Sequence, residues 1–385
     1  MEHIYLDNAA TTPMADAVID TMTARMKDMF GNASSTHWFG REAHTVMDKS
    51  RQILADSINA KPNDIVMTSG ATESNNTAIT ETARARRDLG KHIITTAIEH
   101  PSVMKPLAAL EDEGFRVTYL PVDETGRISM DDFEAALDDD TILVTIMFGN
   151  NEVGSRMPIE AIGARLKDHQ AWFHTDATQA YGLQDIDVEA MNIDMLSTSA
   201  HKINGPKGIG FLYRDPKILF KPLLKGGEQE LKRRAGTENI VEIAGFATAV
   251  SLLTAEEKAT RQAKYLGFKK QLLARLDDAG IDYKVNGDLA PDNLNHVLNI
   301  WYPGISTYAL QTNLDLSGFA ISGGSACTAG SLEPSHVLTA MFGADSPRIG
   351  ESIRTSFGSE NTPEQIDAYA DALIRIINRL KAKAN

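Results

Sequence analysis

A single cysteine, Cys327, stands in 385 residues. That count excludes an internal disulfide and any zinc site built from several thiolates, and leaves either an inert buried thiol or a reactive one. No unbroken apolar run of about 18 residues occurs and the opening residues form no cationic apolar leader, so we expect a cytoplasmic chain with no membrane span. Repeats, low-complexity tracts and linkers rich in Pro, Gly or Ser are also missing, so the domains are expected to pack closely. Positive charge is in short supply: 38 Lys and Arg stand against 52 Asp and Glu, a formal net charge of -14. This argues against direct nucleic-acid binding and leaves docking with a basic protein partner open.

What is present is 42% hydrophobic and 23% charged, ordinary for a globular protein and too long for one compact core. Short runs rich in β-branched residues alternate with helical patterns: DIVMT, HIITTA, FRVTYL, TILVTIMF, WFHTD, DMLSTS and GIGFLY. This predicts an α/β fold with a mixed seven-stranded sheet. Most connections are long enough for crossover helices and so for parallel strands. GIGFLY follows DMLSTS too closely for that and is expected to run antiparallel to it. After about residue 255 a long helical stretch leads to KVNG, HVLNIWYP and SIRTSFG, and an amphipathic helix begins at TPEQIDAYADALIRIINRL. The expected organisation is a large domain over 16–255 and a smaller α/β domain over 256–385, which the N-terminal segment 1–15 joins.

In open α/β sheets ligands sit beyond the carboxyl ends of the strands. After DIVMT comes Ser69-Gly70-Ala71-Thr72-Glu73-Ser74, a small-residue turn that is either a capped helix start or an anion cradle. WFHTD ends in Asp176, with Gln179 three residues on; a carboxylate there can hold a protonated ring nitrogen or cap a helix. DMLSTSAHK delivers Ser199, His201 and Lys202 into a turn, where the lysine could be a phosphate cation, a Schiff-base amine or a solvated side chain. Taken together, a phosphate turn, a strand-end aspartate and a lysine supply the groups that pyridoxal 5'-phosphate requires. His100 could stack on a flat ring or simply cap a helix before Pro101. Asn151 follows another strand and can hydrogen-bond ring substituents or substrate. Arg354 is the candidate clamp for a substrate carboxylate, with an interdomain salt bridge as its alternative.

YLDNAATTP, FGNASSTH, TSGATESNN, NNEVG, HTDATQA, SAHKINGPKGIG, RRAGTEN and GSACTAGSLEPSHVL occur in that order. Over essentially the whole chain they resemble the cysteine desulfurases of the class V aminotransferase family, in the nitrogenase-maturation and iron-sulfur-assembly branch. The resemblance implies a fold-type I pyridoxal-phosphate transferase acting as a homodimer on L-cysteine. Lys202 would carry the cofactor, Asp176 would pair with its ring nitrogen, and Gln179 and Asn151 would contact its ring-oxygen side. His100 would stack on the ring and shuttle protons. Ala71, Thr72, Ser199 and His201 would hold the phosphate, joined by Thr237 from the partner subunit. Arg354 would bind the substrate carboxylate, with Asn32 close by.

The resemblance also gives Cys327 a role: it would attack the substrate sulfur, keep it as a persulfide and release alanine. Its loop, with Gly323, Gly324, Ser325, Ala329, Gly330 and Ser331, suits a thiol that must reach both cofactor and acceptor. No metal site is implied; Cys327 would touch an iron-sulfur cluster only transiently during transfer. Two departures are mild: SGGSACTAG where SSGSACTS is common, and HKINGPKG where HKIYGPKG is frequent. The chain stops at RLKAKAN, without the tail that housekeeping members use to dock the iron-sulfur scaffold protein, so a branch feeding tRNA thiolation or another sulfur acceptor is an alternative expectation to the scaffold. Selenocysteine lyase, cysteine sulfinate desulfinase, a true class V aminotransferase and a non-catalytic docking module are the rival functions.

Overall fold

The computed structural model describes residues 3–323 and 334–384. Cys327 and most of its loop lie outside the described residues, so its predicted role rests on sequence alone.

The seven expected strands form one sheet: β2 (Ile65–Thr68), β3 (His92–Thr96), β4 (Arg116–Leu120), β5 (Thr141–Thr145), β6 (Trp172–Asp176), β7 (Met195–Ser199) and β8 (Gly210–Arg214), after a short β1 (Ile4–Tyr5). Their order is β2-β8-β7-β6-β5-β3-β4. Only β8 runs antiparallel, to β7 on one side and β2 on the other; every other pairing is parallel. The central strands β3, β5, β6, β7 and β8 are almost wholly buried, as expected when crossover helices cover both faces. One core, with Ile94, Val144, Phe173 and Phe211, fills one side of the sheet, and another, with Ile93, Leu143, Met195 and Leu212, fills the other. Alternate residues of each strand thus feed opposite cores. TILVTIMF is shorter as a strand than its apolar run, because β5 ends at Thr145, yet Ile146 and Phe148 still donate to the carbonyls of His174 and Asp176.

Beyond helix Ala255–Asp278 lie β9 (Lys284–Asn286), β10 (Val297–Trp301), β11 (Phe319–Ala320) and β12 (Ser352–Ser356), then the closing helix Pro363–Ala384. Strands β12, β10 and β9 make an antiparallel sheet, and β1 pairs in parallel with β11. Ile4 and Leu6 insert among Phe268, Leu272, Ile353 and Tyr369 in a third core. The N-terminal segment is therefore built into this part of the molecule, and it carries residues 7–12 across to the ends of β6 and β7.

Candidate active site

Where β2, β6 and β7 end and β8 begins, the chain leaves a cleft of about 510 Å³. Its walls bring together Ala71, Thr72, His100, Asn151, Asp176, Gln179, Ser199, His201, Lys202 and Arg354. Asn32 and Thr237, both exposed, do not line it within this single chain. The Asn32 side chain instead accepts the N–H of Ser34.

The turn after β2 owes its shape to Gly70, whose φ of +142° lies where side chains are strained. Gly210 must also be small, since a Cβ there would come within 2.8 Å of the Gly70 backbone. The helix Ala71–Arg86 that follows has no side-chain cap at Gly70. An uncapped helix start facing a cleft, with Ser199 beside it, is chemically suited to an oxyanion.

Asp176 closes β6 almost fully buried, its Oδ2 accepting from Asn75 Nδ2 at 2.7 Å and its Oδ1 from the Thr178 N–H at 3.0 Å. Asn75 also donates to Ser102 Oγ at 2.8 Å, and Ser102 Oγ lies 2.8 Å from His100 Nδ1. His100 is thus joined to Asp176 through Ser102 and Asn75. It lines the cleft and, by accepting the Ser102 N–H, caps the helix Pro101–Asp112.

Lys202 sits in the single turn that follows β7. Its Nζ donates to the carbonyl of Ala10 at 2.8 Å and to that of Ala9. Gln179 Nε2 donates to the same Ala9 carbonyl at 2.9 Å, while its Oε1 accepts from His296 Nε2 at 3.0 Å. His296 is buried, and that burial, reinforced by Lys269, lowers its pKa to about 3, so it stays neutral. The Ala9 carbonyl fixes which way the glutamine amide faces, and with it the tautomer of His296 that carries its proton on Nε2. His201 is likewise held neutral, its pKa lowered to about 4 by burial and then by Lys202 and Lys207.

Arg354, 1% exposed, comes from β12 and reaches Asp7 Oδ1 at 2.7 Å and the Asn151 carbonyl at 3.0 Å. Its Nε is buried with no partner among the described residues. Glu99, next to His100, is completely buried; its Oε1 accepts the Met147 N–H and the Thr96 hydroxyl, both at 2.8 Å. Burial pushes its pKa up to about 8. Glu152, next to Asn151, accepts from Ser335 Oγ at 2.6 Å.

The supporting residues Asp7, Ala9, Ala10, Asn75, Ser102 and His296 were not singled out from sequence. Asp7, Ala9 and Ala10 lie in YLDNAATTP and Asn75 in TSGATESNN, so for these the motif itself was the available signal.

The model of the class-V aminotransferases matches residues 4–369, nearly the whole chain. The chain belongs to that family, among its cysteine desulfurases. A Bacillus subtilis (strain 168) protein named for IscS 1 is 53% identical over 380 residues, covering 99% of this chain and 100% of its own. The cysteine desulfurase IscS of Methanosarcina thermophila is 44% identical over 378 residues, covering 98% and 93%. Among solved structures, a NifS-like protein superposes with a TM-score of 0.90 at 33% identity, over 98% of this chain and 99% of that one. A second, SspA in complex with cysteine, gives 0.80 at 37% identity over 92% and 98%.

Proposed function

We propose that the chain binds pyridoxal 5'-phosphate in this cleft and takes sulfur from L-cysteine, leaving alanine and a persulfide on Cys327. The observation that carries the reading is the convergence of Lys202, Asp176 and the uncapped turn at Gly70 on one cavity. The fit is chemical as well as spatial. Lys202 Nζ is held at the cleft by the backbone carbonyls of Ala9 and Ala10. Asp176 keeps a fixed orientation through Asn75 and the Thr178 N–H. Bound there, the cofactor supplies an electron sink that acidifies the α-hydrogen of an attached amino acid.

The chain's own residues would then divide the work. Asp176 holds the proton of the ring nitrogen, while Ala71, Thr72, Ser199 and His201 hold the phosphate, joined by Thr237 of a second copy. Gln179 and Asn151 orient the ring through its oxygen side, and His100 stacks on it and moves protons. Arg354 clamps the carboxylate of L-cysteine, near Asn32, releasing part of its hold on Asp7. Lys202 Nζ, once freed, moves the α-proton. Cys327 Sγ forms a bond to the substrate sulfur as the substrate C–S bond breaks. The electron pair stays on carbon, which takes a proton and becomes the methyl group of alanine.

We further infer a homodimer, a cytoplasmic setting and the division into 1–15, 16–255 and 256–385. No helix among the described residues is long and apolar enough to cross a membrane. The acidic balance favours a basic protein as sulfur acceptor, an iron-sulfur scaffold or a tRNA-thiolation enzyme. The test is absorbance of the purified protein with added cofactor, with alanine quantified after L-cysteine. A visible band and alanine in the wild type, both absent in Lys202→Ala, are expected; a variant that kept both would overturn the assignment.

A further inference from the structure

The segment from Glu228 to Thr237 is held against the anion cradle in an unusual way. Glu230, Leu231 and Lys232 all have positive φ, 51°, 56° and 66°, although none is glycine. Three such residues in succession are costly and persist only when the surroundings hold them. Here Glu230, 6% exposed, forms a two-pronged pair with Arg51 at 2.8 and 2.7 Å and accepts the Met67 N–H at 3.0 Å. The strained turn carries Arg234 to the first turn of helix Ala71–Arg86. There its Nε and Nη2 donate to the two carboxylate oxygens of Glu73 at 2.9 and 3.2 Å.

Glu73 is an awkward neighbour for a phosphate. It lines the cleft beside Ala71 and Thr72, and its Oε2 already accepts the Ser69 N–H at 2.8 Å. Burial would raise its pKa, but the hydrogen bonds from Arg234 and Ser69 outweigh that, so the carboxyl sits below its ordinary value and is charged. A carboxylate suits a bare helix N-terminus, yet it repels any second anion placed there. The neutral His201 offers no offsetting charge. Lys207 lines the cleft but is exposed to solvent.

We propose that Arg234 is a positioning residue that acts through Glu73: it cancels the carboxylate at the edge of the cradle and so sets the affinity for the cofactor's phosphate. The inference rests on the cofactor reading above. A purely mechanical role, pinning the segment that leads to Thr237, makes the opposite forecast for the double variant, because removing either partner breaks the same pin.

The test measures binding to the full-length chain of pyridoxal 5'-phosphate, and of pyridoxal, which lacks the phosphate, by the absorbance each acquires. Arg234→Ala is expected to weaken pyridoxal phosphate about tenfold and to leave pyridoxal within about twofold. Adding Glu73→Gln should restore phosphate-dependent binding to within about threefold of wild type. Glu73→Gln alone, which leaves the Arg234 charge unopposed, should tighten pyridoxal phosphate, and it keeps the test open if Arg234→Ala folds poorly. Equal losses for the two ligands, a double variant no better than Arg234→Ala, or weakening by Glu73→Gln alone would overturn the proposal. A wild type that bound neither ligand would instead remove the cofactor reading beneath it.

Discussion

Arg354 Nη2 donates to Asp7 Oδ1 at 2.7 Å, joining two residues 347 positions apart at the edge of the cleft. Nη1 is engaged with the Asn151 carbonyl and Nε has no partner among the described residues, so the guanidinium is held in one plane with donor capacity left. A substrate carboxylate can pair with the Nη groups as Arg354 gives up part of its hold on Asp7, with no rearrangement of the strand. Arg354→Ala is expected to lower kcat/KM for L-cysteine by about 100-fold or more. Arg354→Lys should recover only part of it, since an ammonium group cannot reach Asp7, the carbonyl and a carboxylate in one plane. Steady-state kinetics checks this; a lysine variant with wild-type KM would count against the clamp.

Glu99 predicts how stability should change with alkalinity. Its folded pKa, about 8 through burial, lies above the 4.5 of an unperturbed carboxyl. Its favourable contribution is therefore complete below pH 4.5 and is lost as pH rises through 8. Glu99→Gln keeps an oxygen for the Met147 N–H and the Thr96 hydroxyl while removing the ionisation. Relative to wild type, the variant should gain in melting temperature between pH 5 and pH 8.5, by about 2 °C or more. Parallel curves for the two proteins would show that Glu99 is already ionised in the fold.

The buried histidines predict a loss on the acid side. His174, pushed down to about 4 by burial, and His296, at about 3, are neutral in the fold, whereas unfolded histidines charge near 6.5. For a depressed pKa the stabilising contribution is full above 6.5 and falls away with declining pH. By pH 5 each would cost about 1–2 kcal/mol. Urea midpoints should fall between pH 6.5 and pH 5, before most carboxylates titrate. His174→Gln, with Thr145 and Ser197 still available as partners, should have a shallower slope. An unchanged slope would mean that His174 is not the group being charged.

Gly70→Ala tests the cradle. An added Cβ would stand 3.4 Å from Ser199 Oγ, tight but tolerable, so the main cost comes from φ at +142°. We expect a stability loss of about 1–2 kcal/mol with a larger proportional loss of pyridoxal-phosphate affinity. Calorimetry and a binding titration separate the two; a variant with full cofactor affinity would argue that the turn does not face the phosphate.

The sheet was legible because β-branched runs bounded by polar turns mark buried strands, and the strand ends in turn picked out Asp176, Ser199 and Lys202. The same logic reached His100 and Asn151. What spacing could not reveal is which side chains meet across hundreds of residues. Asp7 belongs to an N-terminal segment that joins the third core through Ile4 and Leu6, and only that packing brings it to Arg354. His296 stands just before β10 and reads as an ordinary strand residue until the fold sets it against Gln179. The TILVTIMF run shows the converse: apolar character continues past the end of β5 because Met147 and Phe148 remain in the core. Asn32 and Thr237, singled out by their motifs, do not line the cleft of this single chain.

The most direct test of the central claim is a single-turnover reaction of the cofactor-loaded protein with L-cysteine, quantifying alanine and Cys327-bound persulfide, with Cys327→Ser in parallel. Equal amounts of alanine and persulfide in the wild type, and neither in the variant although it still binds L-cysteine, is the predicted result. Undiminished cofactor-dependent turnover in the serine variant would contradict it and make Cys327 a bystander.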